Sequence, residues 1–265
     1  MSIGALILAV AVAFPLLIFL MQDRLIFHPQ PLAEAQRAEL RKRFPAVEEV
    51  FLDSEGRKLH AWHVKGTAGA PLVIYFGGNA EEVSWMIEDA RDRVPGVGWL
   101  LVSYPGYGAS EGAPSASNIS AAALRWHDYA MQTVAPKKIV AFGRSLGSGA
   151  AVFLASQRKL DAVILVTPFD SLVDVAQRYY PFLPVGLMLR HRFDSFDLAP
   201  RITTPLLCLI AERDEVIPPA HGERLCEAWG GPKKKIVLQE ASHNTTDAHP
   251  LFWTSIREFL AQKVH

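Results

Sequence analysis

The sequence predicts an α/β domain: a mostly parallel eight-stranded sheet with helices on both faces and a small cap, preceded by one N-terminal transmembrane helix. Three observations predict it. Continuous apolar runs alternate with helical segments through most of the chain, the pattern of strands covered on both faces by crossover helices. One connection, between the runs at 162–167 and 205–210, is nearly forty residues long, and connections of that length in a compact domain are lids or binding elements. The first 22 residues carry no charged side chain.

Residues 3–21 form 19 nearly all-apolar positions, about 28 Å as a helix and close to the hydrocarbon thickness of a bilayer. The start lacks Lys and Arg, and its only A-x-A candidate, 11–13, comes too early for signal cleavage. Pro15 is compatible with a span. Residues 1–22 are therefore expected as a transmembrane anchor, with a helix docked on the domain or a signal peptide as alternatives, and a chain without residues 1–21 is expected to stay active. Residues 23–46 are polar and mixed, with a short amphipathic helix at 33–44, and read as a juxtamembrane linker. Arg24, Arg37, Arg41, Lys42 and Arg43 follow the apolar stretch, which by the positive-inside rule places the domain on the cytoplasmic side.

The domain is expected over 47–265. Runs at 47–53 and 58–64, separated by Ser54-Glu55-Gly56-Arg57, predict an antiparallel hairpin. Strands follow at 72–76, 98–103, 138–142, 162–167, 205–210 and 235–239, with helices near 80–94, 117–134, 146–158, 219–229 and 250–263. The long connection predicts a cap at about 169–201 whose Tyr180, Phe182, Leu187 and Met188 line an acyl pocket; the alternative is a packed crossover.

Lys+Arg and Asp+Glu both number 27, so there is no basic excess to hold nucleic acid. Cys208 and Cys226 lack C-x-x-C spacing and read as buried apolar thiols. His60 and His63 turn to opposite faces of a strand and have no carboxylate cluster beside them, so no metal is expected. His221 and His249 read as helix or cap residues.

The chemistry centres on Gly143-Arg144-Ser145-Leu146-Gly147, a serine between glycines just after a strand and just before an alanine-rich helix. This is the context of a nucleophile elbow, where a sharp turn exposes the serine Oγ and its flanks must be small. A serine nucleophile needs a histidine to take its proton and an acid to orient that histidine. Asp214 lies in the acidic loop after the penultimate strand, and His243 in the loop after the last one; Asp170, after the sixth strand, is the alternative acid. Two backbone amides are expected to hold the oxyanion, those of Leu146 and of Asn79 in Gly77-Gly78-Asn79. The Asn79 side chain is free to cap a helix in a box with Glu82.

The chain resembles the alpha/beta-hydrolase superfamily, and within it the membrane-anchored serine hydrolases called "alpha/beta hydrolase domain-containing", over residues 22–263. The likeness rests on Gln22-Asp23-Arg24-Leu25-Ile26-Phe27-His28-Pro29, Phe76-Gly77-Gly78-Asn79-Ala80, Tyr104-Pro105-Gly106-Tyr107-Gly108-Ala109-Ser110-Glu111-Gly112, the elbow, Thr167-Pro168-Phe169, Asp214-Glu215-Val216-Ile217-Pro218 and Ser242-His243-Asn244. It implies a Ser145, Asp214, His243 triad in a single-pass protein. Where relatives commonly carry histidine before the glycine of the oxyanion loop, this chain has Gly77. The expected function is hydrolysis of carboxylic esters, thioesters or lipid esters through an acyl-enzyme, with no cofactor. A peptidase or amidase with the same triad, and a membrane-tethered interaction module without turnover, are the alternatives.

Overall fold

The computed structural model describes residues 2–264, except for the side chains of residues 6–12 and 264. Its strands are β1 (Val47–Ser54), β2 (Arg57–Val64), β3 (Leu72–Phe76), β4 (Gly98–Val102), β5 (Ile139–Arg144), β6 (Ala162–Val166), β7 (Leu206–Ala211) and β8 (Lys233–Leu238). They form one sheet in the order β1-β2-β4-β3-β5-β6-β7-β8. β2 runs antiparallel to both β1 and β4, and every later pairing is parallel. β3, β4, β6 and β7 are buried at every residue, which is why their sequences are unbroken apolar runs. β8, at the sheet edge, opens with exposed Lys233, Lys234 and Lys235, charges that discourage another strand from pairing there.

The longer helices are α1 (Ile3–Ile26), α2 (Glu34–Arg43), α3 (Met86–Arg93), α4 (Ala116–Tyr129) and α5 (Leu146–Gln157). They are followed by α6 (Leu172–Tyr179), the short α7 (Val185–Met188) and α8 (Ser195–Leu198), then α9 (Pro219–Ala228) and α10 (Pro250–Val264). Alternate strand residues face two cores. Ile74, Leu100, Ala141 and Leu165 pack with Trp126 of α4, Leu154 of α5 and Leu225 of α9. Val73, Leu101, Phe142 and Ile164 pack with Ile87 of α3 and Ile256 of α10. Helices therefore cover both faces, and the strand order reverses between β3 and β5, where their carboxyl ends leave a crevice. Cys208 of β7 and Cys226 of α9 are buried and unpaired.

The amino-terminal expectations change. Among the described residues no helix is long and apolar enough to cross a membrane. The transmembrane anchor expected over 1–22 falls partly on side chains outside the described ones, and its other half belongs to the domain: α1 runs past Gln22 through Asp23 and Arg24 to Ile26. Phe14, Leu16, Leu17 and Leu20 are exposed while Gln22 and Phe27 are buried. The apolar run alone does not distinguish a span from a helix with one docked face.

Residues 23–46, expected as a linker, are also packed. Leu32 and Phe44 are buried, the Leu32 N–H donates to Gly108 O at 2.9 Å and the Gly108 N–H to Gln30 O at 2.8 Å. Arg37 and Arg41 of α2 both bind the Glu49 carboxylate on β1, and Arg43 pairs with Glu88. Three of the five basic residues that suggested a membrane side, Arg37, Arg41 and Arg43, are thus paired with carboxylates of the fold.

Candidate active site

β5 ends at Arg144 and α5 begins at Leu146, so Ser145 alone makes the turn, with φ 50° and ψ −117°. A non-glycine residue rarely takes positive φ. It is held by its N–H donating to Val166 O at 2.9 Å and by the Ser148 hydroxyl and N–H donating to its carbonyl at 2.7 and 2.9 Å. The flanking glycines are there for space. A Cβ on Gly143 would lie 2.3 Å from Gly147 O, and one on Gly147 would lie 2.0 Å from Phe76 O. Strand and helix close up only because both side chains are missing.

Loops after β7 and β8 bring two more residues to this point. His243 Nε2 lies 2.9 Å from Ser145 Oγ, and His243 Nδ1 lies 2.9 and 2.8 Å from the two Asp214 oxygens. All three side chains are buried. Asp214 Oδ1 also accepts the N–H groups of Val216 and Ile217 at 2.9 and 2.7 Å, which fixes the carboxylate as an acceptor. Asp170 stands elsewhere, fully buried, accepting from the Ser171 N–H at 2.7 Å and lying 2.8 Å from His221 Nδ1 and 3.2 Å from Arg224 Nε.

Asn79 and Leu146 border the same cavity as Ser145. Leu146 opens α5, where an N–H has no partner within the helix. The loop after β3 is braced by a residue that spacing alone did not single out: Glu81 accepts from the Gly78 N–H at 2.6 Å, Tyr75 hydroxyl at 2.6 Å and Trp85 Nε1 at 2.9 Å. A Cβ on Gly77 would meet Val83 Cγ1 at 2.9 Å and the Glu81 carboxyl at 3.0 Å, so the carboxylate fills the space a larger residue at 77 would need. The Tyr104 hydroxyl donates to Gly77 O at 2.7 Å. Burial pushes the phenols of Tyr75, Tyr104 and Tyr107 above their ordinary value, so they act as donors.

The expected capping box of Asn79 with Glu82 does not form. Glu82 caps the short turn Val83–Trp85 by accepting from Ser84. The Asn79 side chain instead donates to Ile26 O at the end of α1 and accepts from the Tyr107 hydroxyl at 2.8 Å and the His28 N–H at 3.1 Å. Such long-range partners leave no local signal.

The cavity over Ser145 measures about 360 Å³ and is lined mainly by apolar side chains. Of the four cap residues expected to line it, Tyr180 and Met188 do. Phe182 and Leu187 do not, being 97% and 90% exposed. In the single turn of α7, Val185 and Met188 are three residues apart and share the inner face, which turns Leu187 outward. Further cap lining comes from α6 through Leu172, Val175, Ala176 and Tyr179 and from Leu183 and Leu189, and the Tyr179 hydroxyl ties α6 to the loop that carries Asp214 by donating to Val216 O at 2.8 Å.

No protein-family profile matches the chain. It is 31% identical to the uncharacterized protein Rv2307c of Mycobacterium tuberculosis, over 99% of this chain and 95% of the relative. It is 33% identical to YNL320W of Saccharomyces cerevisiae, named an uncharacterized membrane protein, over 78% of this chain and 76% of that one. The alpha/beta hydrolase domain-containing protein WAV2 of Arabidopsis thaliana is 31% identical, over 67% of this chain and 65% of its own length. Among solved structures, the esterase Pf2001 of Pyrococcus furiosus superposes with a TM-score of 0.72 at 17% identity, over 91% of this chain and 100% of that one. Est1E of Butyrivibrio proteoclasticus, solved with ferulic acid bound, gives 0.67 at 17% identity, over 81% and 99%. At that identity the two structures speak for the fold alone.

Proposed function

This chain belongs to the alpha/beta-hydrolase superfamily, and from that premise we propose that it is a serine hydrolase acting on carboxylic esters, with Ser145 as nucleophile, His243 as general base and then acid, and Asp214 as the orienting acid. The observation that supports this reading is the continuous path from Ser145 Oγ through His243 to Asp214, each step at 2.8–2.9 Å, beneath an apolar cavity. Ser145 Oγ attacks the acyl carbonyl as its proton passes to His243 Nε2. The oxyanion is held by the Leu146 and Asn79 N–H groups, with the positive end of α5 behind the first. Collapse of the tetrahedral intermediate breaks the ester C–O bond, and the alcohol leaves with the proton from His243. Water, deprotonated by the same nitrogen, then hydrolyses the acyl-enzyme and restores Ser145. Asp214 keeps Nδ1 protonated, so that Nε2 faces the serine as an acceptor. The apolar walls of the cavity favour an acyl ester over a peptide.

A fluorophosphonate probe tests this directly. It is expected to label the intact chain covalently, Ser145→Ala is expected to abolish labelling and ester hydrolysis while the circular dichroism spectrum is unchanged, and labelling that persists in that variant would refute the assignment.

A further inference from the structure

Resting on that reading of Ser145, we infer that the last turns of α1 are the specificity-determining wall of the acyl pocket, and that the pocket takes an aliphatic acyl chain of several methylenes laid between α1 and the α6–α7 cap. Ile18, Phe19, Gln22, Leu25 and Ile26 border the cavity over Ser145. Their spacing of one, four, seven and eight residues puts them on one helical face. The rest of the lining includes α6, the following turn and α7, through Val175, Leu183 and Met188. Take α1 away and this side of the pocket opens to water.

The helix is held there in register. Gln22 is 4% exposed in otherwise apolar surroundings. Its Oε1 accepts the Arg190 N–H at 2.8 Å, and its Nε2 donates to Phe19 O at 2.7 Å and reaches Met188 O at 3.4 Å. The amide loses its bonds to Arg190 and Met188 if the helix slides or rotates, so it selects one position. Asp23 adds a latch just outside, 2.7 Å from His191 Nε2 and 2.9 Å from an Arg190 guanidinium nitrogen. At its other end the wall meets the oxyanion loop, where Ile26 O accepts from the Asn79 side chain. One helix face therefore touches both the segment that holds the acyl tail and the loop that holds the acyl carbonyl.

The test is a series of p-nitrophenyl esters from acetyl to octanoyl on the full chain, with active sites counted by a short-alkyl fluorophosphonate. Phe19→Ala and Gln22→Leu are expected to lower the octanoyl-to-acetyl ratio of kcat/KM by roughly tenfold, as lost contacts to a few methylenes would, and Phe19→Trp to shift the preferred acyl length downward. Leu20→Ala, on the outward face of the same helix at 66% exposure, is expected to leave the ratio as it is. An unchanged ratio in all three inner-face variants, with Ser145 still labelled, would overturn the wall and leave the hydrolase reading standing. Absence of labelling in the parent chain would remove the hydrolase reading itself.

Discussion

Ser145, His243 and Asp214 are separated by tens of residues in the chain and meet within hydrogen-bond distance because each sits just past the carboxyl end of a parallel strand. The proposed choice of Asp214 as the acid rests on its partners. Asp214 Oδ1 and Oδ2 both face His243 Nδ1, whereas Asp170 is committed to His221 and Arg224. Asp214→Asn is therefore expected to lower kcat by three to four orders of magnitude, about the loss that follows when a histidine is held in the wrong tautomer. Asp170→Asn is expected to keep kcat within a few-fold and to lower the urea midpoint, since the buried carboxylate that pairs with Arg224 and His221 is lost. Steady-state kinetics beside urea titrations separate the two, and the reverse ranking would reassign the acid.

At the scale of elements, α2, β1 and β2 form a polar seam under the amino-terminal segment. His60 of β2 is fully buried, with Nδ1 3.1 Å from Ser103 Oγ and Nε2 3.3 Å from Glu49 Oε1. Burial pulls its pKa down from 6.5 to about 4, with the neighbouring Arg37 pulling the same way and the Glu49 carboxylate opposing. The unfolded chain then binds a proton that the folded chain refuses. The stability involved is present above pH 6.5 and is lost as pH falls towards 4, to the extent of about 2 to 3 kcal/mol. Urea titrations between pH 7 and 4.5 are expected to show this decline in the parent chain and a flatter one in His60→Gln. Equal slopes would mean that the histidine titrates alike folded and unfolded.

At the scale of the molecule, what the sequence discloses and what it withholds divide along physical lines. β3, β4, β6 and β7 are legible because burial on both faces demands unbroken apolar letters, and β8 is placed two residues late because its exposed lysines look like loop. The Gly143 to Gly147 spacing is legible because a steric limit of about 2 Å leaves no other residue possible. Gln22 stays hidden because its partner is contributed by folding: it meets Arg190 across 168 residues, and nothing near 22 announces it, whereas Glu81 has partners within six residues but its spacing matches no familiar cap. Leu187 and Phe182 mislead for the opposite reason, being apolar letters that the cap leaves in solvent.

The two thiols offer a clock for motions of this whole assembly. Cys208 on β7 and Cys226 on α9 are 0% and 3% exposed, so a thiol reagent reaches them only when α9 lifts from the sheet or the chain unfolds. The helix follows directly on the loop that carries Asp214. Modification rates measured against reagent concentration are expected to plateau at an opening rate, and a short-alkyl fluorophosphonate adduct on Ser145 is expected to leave that plateau unchanged if α9 opens independently of the acyl pocket. A slower plateau in the adduct would mean that the wall bearing the acid moves as one body with the site, so that the pace of breathing and the pace of turnover share a single hinge.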